Sequence, residues 1–118
     1  MMACEVRKSR LEAIVPNYIA IEDLRKEVQI PTGGTGSRTL HQSDRAKVVL
    51  FGLAAGQEIS RHTAGPAAMV QIVEGQVRFT VDGEERELSA DSWVFMEADL
   101  SHAVYARTDA VMLVTLLL

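Results

Sequence analysis

The sequence is poor in the residue types on which several common functions depend. It holds one cysteine, Cys4, among 118 residues, which excludes an intramolecular disulfide and any zinc site built from cysteines alone. Lys and Arg number 12 against 16 Asp and Glu, so the formal net charge is -4. Proteins that bind nucleic acid usually present a basic face to the phosphates. We therefore expect no nucleic-acid partner.

Long hydrophobic segments are lacking as well. The N-terminus has no apolar core of the length found in secretory signal peptides. The longest apolar run, residues 111–118, is interrupted by Thr115 and is far shorter than the ~18 residues of a membrane-spanning helix. We expect no membrane partner and a reducing, cytoplasmic location, with Cys4 a bystander in a terminal arm.

The length and composition predict one domain with one hydrophobic core, because 47% of the residues are hydrophobic and 24% are charged. Residues 1–36 are predicted to form an N-terminal arm with one short helix. In that helix Ile21, Leu24 and Val28 follow helical spacing, and Pro31 ends it. Residues 37–118 are predicted to form the folded barrel.

From residue 37 onward the pattern is one of short strands and turns. About eight strands follow at intervals of 8 to 12 residues, which is typical of an all-β sandwich or barrel. Asp82-Gly83 is the strongest hairpin signal, since both central residues of a type I′ turn need positive φ. The return strand from Glu84 to Leu88 is highly charged, which predicts an exposed sheet edge.

One stretch, GQEISRHTAGPAAMVQIVEG from Gly56 to Gly75, resembles the first signature motif of the cupin superfamily, G-x5-H-x-H-x3,4-E-x6-G. Gly56, His62 and Gly75 match that motif. His102 matches the histidine of the second motif, G-x5-P-x-G-x2-H-x3-N, and the surrounding sequence is similar to small single-domain bacterial cupins. The resemblance implies a double-stranded β-helix, or jelly-roll barrel, with both histidines facing one bore.

Two metal-ligand positions of the cupin motifs carry alanine in this chain. Ala64 stands at the second histidine position and Ala68 at the glutamate position, and neither side chain can donate to a metal. His62 and His102 supply two ligands, whereas a catalytic metal generally takes about three from the protein. We expect no strong native metal site, and at most a weakly bound divalent transition metal on these two histidines.

Two imidazoles at an apolar bore are suited to bind a carboxylate or hydroxyl group of a small molecule. His62 and His102 are therefore the predicted ligand-binding residues. Gln71 joins them on the condition that a β-bulge brings its amide to the same face. The acidic residues Glu97 and Asp99 are expected beside His102, in a loop that we interpret first as solvated. The alternatives are that these acids raise the pKa of His102 or exclude anionic ligands. Aromatic residues are candidates for the pocket wall: Phe51, Phe79, Trp93 and Phe95.

Three functional classes stay open at this point. The first is a small-molecule binding protein without a strong metal site. The second is a metal-dependent cupin enzyme, such as an oxygenase, isomerase or decarboxylase, with a reduced ligand set. The third is a structural or interaction module whose bore is filled by side chains. The closing run of residues 111–118 is apolar on both strand faces, so we also expect cover by a second copy in a homodimer.

Overall fold

The computed structural model describes residues 17–63 and 65–118, so the expectations for Cys4, Ala64 and the arm before residue 17 lie outside the described residues. Within these described residues, nine strands follow a single 3₁₀ turn at Leu24–Glu27, where the sequence predicted about eight. The strands are β1 Thr35–Gln42, β2 Ala46–Leu53, β3 Glu58–Thr63, β4 Ala67–Glu74, β5 Gln76–Val81, β6 Glu84–Ser89, β7 Trp93–Met96, β8 Ser101–Ala106 and β9 Ala110–Leu117. Within the described residues, no helix has the length and apolar character needed to cross a membrane.

These strands form two antiparallel sheets that pack face to face. The larger sheet has the order β1-β2-β9-β4-β7, and the smaller has the order β3-β8-β5-β6. Buried apolar residues from both sheets meet between them, among them Ile72 and Met112 from the larger sheet and Phe79 and Val104 from the smaller. This arrangement confirms the predicted all-β class and the double-stranded β-helix.

The predicted helix around Ile21, Leu24 and Val28 is wrong, because one 3₁₀ turn at Leu24–Glu27 is all that forms between residues 17 and 34. The Asp23 carboxylate begins this turn by accepting a hydrogen bond from the backbone N–H of Arg25 at 3.1 Å. After the turn the backbone becomes extended. The Gln29 carbonyl and the Ile30 side chain then lie against Gly52 of β2, 3.0 and 3.1 Å from where a Cβ would stand. Packing along β2 therefore outweighs the helical spacing.

The hairpin and edge predictions are confirmed. Asp82 and Gly83 have φ values of 50° and 84°, and Val81 pairs directly with Glu84 across the turn. The charged return strand β6 is mostly exposed and forms one edge of the smaller sheet. Charged side chains on an edge strand oppose pairing with another chain.

The turn between β4 and β5 depends on Gly75. Its φ of 86° lies in the left-handed region, which disfavours residues with a Cβ. A Cβ at this position would also overlap the backbone carbonyl oxygen of Asp109. The adjoining backbone is fixed, because Thr108 Oγ1 accepts a hydrogen bond from the Gln76 N–H at 3.0 Å.

We predict that Gly75→Ala lowers the free energy of unfolding by more than ~3 kcal/mol, because backbone strain and overlap with a neighbouring carbonyl add. Gly83→Ala is the matched control, since Gly83 has a similar φ but no atom within 4 Å of an added Cβ. The control should lose only about 1–2 kcal/mol. Urea unfolding of both variants measures the difference, and equal losses would contradict this account of the turn.

Candidate functional site

A cavity of about 240 Å³ lies between the two sheets. Its walls are apolar apart from two histidines at one end. The sequence analysis did not predict the individual aliphatic residues that β2, β4 and β9 contribute to the wall. The one feature of the sequence that pointed to them was that residues 111–118 are apolar on both strand faces. The lining residues are Val49, Phe51, Ile59, His62, Ala68, Val70, Phe79, Met96, His102, Val104, Met112, Val114 and Leu116.

A β-bulge in β3 turns His62 into this cavity. Ile59 pairs with Val104 of β8, and the next regular pair is His62 with His102. Between these two pairs, β3 advances by three residues while β8 advances by two. The one extra residue in β3 defines a β-bulge. Strict alternation would put Ile59 and His62 on opposite faces of the sheet. With the bulge, both side chains line the cavity.

The two histidine rings contact each other. Their centroids are 4.3 Å apart and their planes cross at 60°. His102 is 9% exposed and lies inside, whereas His62 is exposed at the opening of the cavity. On the inner side, the ring of Phe79 stacks near His102 at a centroid distance of 6.3 Å.

Backbone carbonyls fix the tautomer of both rings. His62 Nδ1 lies 2.8 Å from the Ser60 carbonyl oxygen, and His102 Nδ1 lies 3.0 Å from the Leu100 carbonyl oxygen. A carbonyl oxygen only accepts hydrogen bonds, so we assign the hydrogen to Nδ1 in each ring. In the neutral rings Nε2 then carries a free lone pair.

Burial lowers the pKa of His102 below its ordinary value of 6.5. The hydrogen bond to the Leu100 carbonyl opposes this shift, and the nearby His62 adds to it. Glu97 and Asp99 do line a narrow depression with His102, as expected. The alternative that these acids raise the pKa of His102 does not hold, because the loss of hydration on burial dominates.

The structure does not bring Gln71 to the histidines. Gln71 is exposed on β4, while Ala68 and Val70 of the same strand face the cavity. The predicted role of Gln71 required a β-bulge in β4 between Ala68 and Gln71. The pairing of β4 with β9 is regular there, and the bulge beside the histidines lies in β3 instead.

Two of the four aromatic residues considered for the pocket wall do line the cavity. These are Phe51 and Phe79. The expectation was wrong for Trp93 and Phe95, which are 60% and 44% exposed. On β7 the alternate residues Val94 and Met96 pack toward the core instead.

Comparison with known proteins identifies the family. A family model described as "Cupin domain" matches residues 49–117. This chain belongs to the cupin family. No curated protein matches the sequence significantly.

Solved structures support the same assignment. A conserved protein of unknown function from Streptococcus pyogenes is 33% identical, with a TM-score of 0.77 over 86% of this chain and 90% of that one. A cupin superfamily protein from Desulfitobacterium hafniense is 23% identical, with a TM-score of 0.78 over 87% and 94% of the two chains. An RmlC-like cupin from Desulfovibrio desulfuricans is 24% identical, with a TM-score of 0.75 over 85% and 97%. The latter two establish the likeness of fold alone.

The donor set of this cupin does not fit the metal site that the family motifs describe. Two imidazoles converge, but Ala68 presents only a methyl group to the cavity where the motif has a carboxylate. Among the residues that the structure describes, no three His, Cys, Asp or Glu side chains are grouped closely enough to hold a metal ion. Two nitrogen ligands fall short of the three that catalytic sites generally use.

The lowered pKa of His102 predicts a pH-dependent stability. The unfolded chain takes up this proton near pH 6.5, whereas the folded chain does so only at lower pH. The stabilisation is fully present above about 6.5 and is lost as the pH falls toward the folded-state value. Going from about pH 7.5 to about pH 5.5 should therefore destabilise the wild type more than His102→Gln, by at most ~1.4 kcal/mol per unit of pKa difference.

Chemical unfolding at the two pH values checks this prediction. His41→Gln, at an exposed position on β1, is the control and should respond to pH like the wild type. If His102→Gln is as sensitive to pH as the wild type, the account of His102 is contradicted.

Proposed function

We propose that this cupin binds a small molecule in the cavity between the two sheets, next to His62 and His102, without a strongly bound native metal. The observation that carries the proposal is an apolar cavity of about 240 Å³ between the sheets, with a histidine pair in its wall. Binding sites for small molecules commonly combine apolar walls with a few polar groups that orient the ligand.

The size of the cavity sets a limit on its ligand. An apolar cavity of ~150 Å³ accepts benzene, so a cavity of 240 Å³ has room for one ring with a short substituent. Phe79 and Met96 line this space and leave it open. This favours a ligand pocket over a module whose bore is filled by side chains.

A metal-dependent enzyme is the alternative that the family suggests. Its support is the pair of free Nε2 lone pairs, which are the atoms through which imidazoles bind metals. Against it stands the lack of a third donor beside His62 and His102 within the described residues. We therefore propose that the pocket acts through binding, with any metal held weakly.

Cavity-filling substitution tests the pocket directly. Ala68→Leu places three more carbon atoms into the cavity, because Ala68 is 1% exposed and lines it. Ala67→Leu is the matched control on the opposite face of the same strand. Toluene is the probe, since it needs no hydrogen bond, and ¹H–¹⁵N NMR of the amides in β3 and β8 measures its binding. We predict at least ~10-fold weaker binding for Ala68→Leu and an unchanged affinity for Ala67→Leu.

Toluene that binds neither the wild type nor Ala67→Leu would overturn the proposed pocket. Metal analysis of protein purified without a histidine tag tests the second half of the proposal. We expect transition metal far below one equivalent per chain. About one equivalent that survives dialysis would favour the enzyme instead.

A further inference from the structure

We infer that the molecule bound in this cavity presents an uncharged hydrogen-bond donor, such as a hydroxyl group, to Nε2 of His62 or of His102. The inference rests on the proposed function and adds the chemical class of the ligand. It follows from the hydrogen bonds that the two rings already make and from the composition of the walls.

The histidines present acceptors rather than donors to the cavity contents. Each Nδ1–H donates a hydrogen bond to the carbonyl oxygen two residues earlier in the chain. That oxygen belongs to Ser60 for His62 and to Leu100 for His102. The two neutral rings therefore have only Nε2 lone pairs to offer. The ring centroids are 4.3 Å apart and both rings line the cavity, so a ligand there meets the two histidines together.

Two adjacent acceptors in an apolar cavity discriminate between ligands. A hydroxyl group satisfies one of them, whereas an ether oxygen is itself only an acceptor and leaves both unsatisfied. Sites built to hydrogen-bond a hydroxyl group reject analogues that lack it for this reason.

The walls disfavour a charged ligand. No Lys, Arg, Asp or Glu lines the cavity within the described residues. The nearby arginines Arg61 and Arg78 line a second, polar depression, which His102 also borders, and there they lie with Glu58 and Glu85. A carboxylate in the cavity would thus lose its hydration without gaining a fixed opposite charge, which is costly.

Three probes of similar size separate these effects. Benzyl alcohol carries a donor, its isomer anisole carries only an acceptor, and benzoate carries a negative charge. We predict that benzyl alcohol binds at least ~10-fold more tightly than anisole and benzoate, measured by the NMR shifts of β3 and β8 amides at about pH 8. Replacing both rings together, His62→Leu with His102→Leu, should reduce the preference for benzyl alcohol over anisole to less than ~3-fold, and His41→Leu should leave it unchanged.

The outcomes distinguish this inference from the proposed function. Toluene binding together with equal affinities for benzyl alcohol and anisole would overturn the inference and keep the pocket. If benzoate binds more tightly than benzyl alcohol, the inference about a neutral donor is overturned, while the proposed pocket is kept. If none of the probes binds in the cavity, the proposed pocket and the inference about its ligand are both overturned.

Discussion

The site depends on the β-bulge in β3, which interrupts the alternation of side chains along that strand. Side chains alternate along a regular β-strand, so each sheet presents one face to the core, and apolar residues occupy those inner positions. Between Ile59 and His62 the β-bulge interrupts this alternation. It adds a polar ring to an apolar interior and sets it beside His102 on the neighbouring strand. Without the bulge, the cavity would end on a single histidine.

The hydrogen bonds of the two rings explain how this polar end is tolerated. Each Nδ1–H has a carbonyl partner, so only the Nε2 atoms depend on what enters the cavity. Histidines that bind metals are oriented by the same kind of bond. In this cupin the orienting carbonyls are present while Ala68 occupies the position of the carboxylate ligand. The result is a pair of acceptors in an apolar cavity, and the proposal that the pocket takes a neutral molecule rather than a metal ion rests on this pair.

The sequence predicted the fold well because its signals were local. Asp82-Gly83 marked a hairpin, and the charged residues 84–88 marked an exposed edge. Gly56, His62 and Gly75 matched the first cupin motif and so predicted the double-stranded β-helix. The prediction of a short helix was wrong because the helical spacing of Ile21 and Leu24 carries no information about the packing of Ile30 against β2, which requires extended backbone.

The site was less predictable because it depends on pairing between distant strands. His62 and His102 were found through their motif, yet the bulge that aligns them is visible only in the register of β3 with β8. Trp93 and Phe95 were expected at the pocket wall as aromatic residues, and the alternation on β7 turned them outward. The pKa of His102 followed burial rather than the nearby acids, and burial cannot be read from local sequence.

Long-range ¹H–¹⁵N NMR of the histidine side chains tests the central claim most directly, because it reports which ring nitrogen carries the hydrogen. The account predicts Nδ1–H tautomers for both His62 and His102 at about pH 8, with Nε2 resonances that shift when benzyl alcohol is added. An Nε2–H tautomer for either ring in the free protein would contradict it, since the cavity would then present a donor to its ligand.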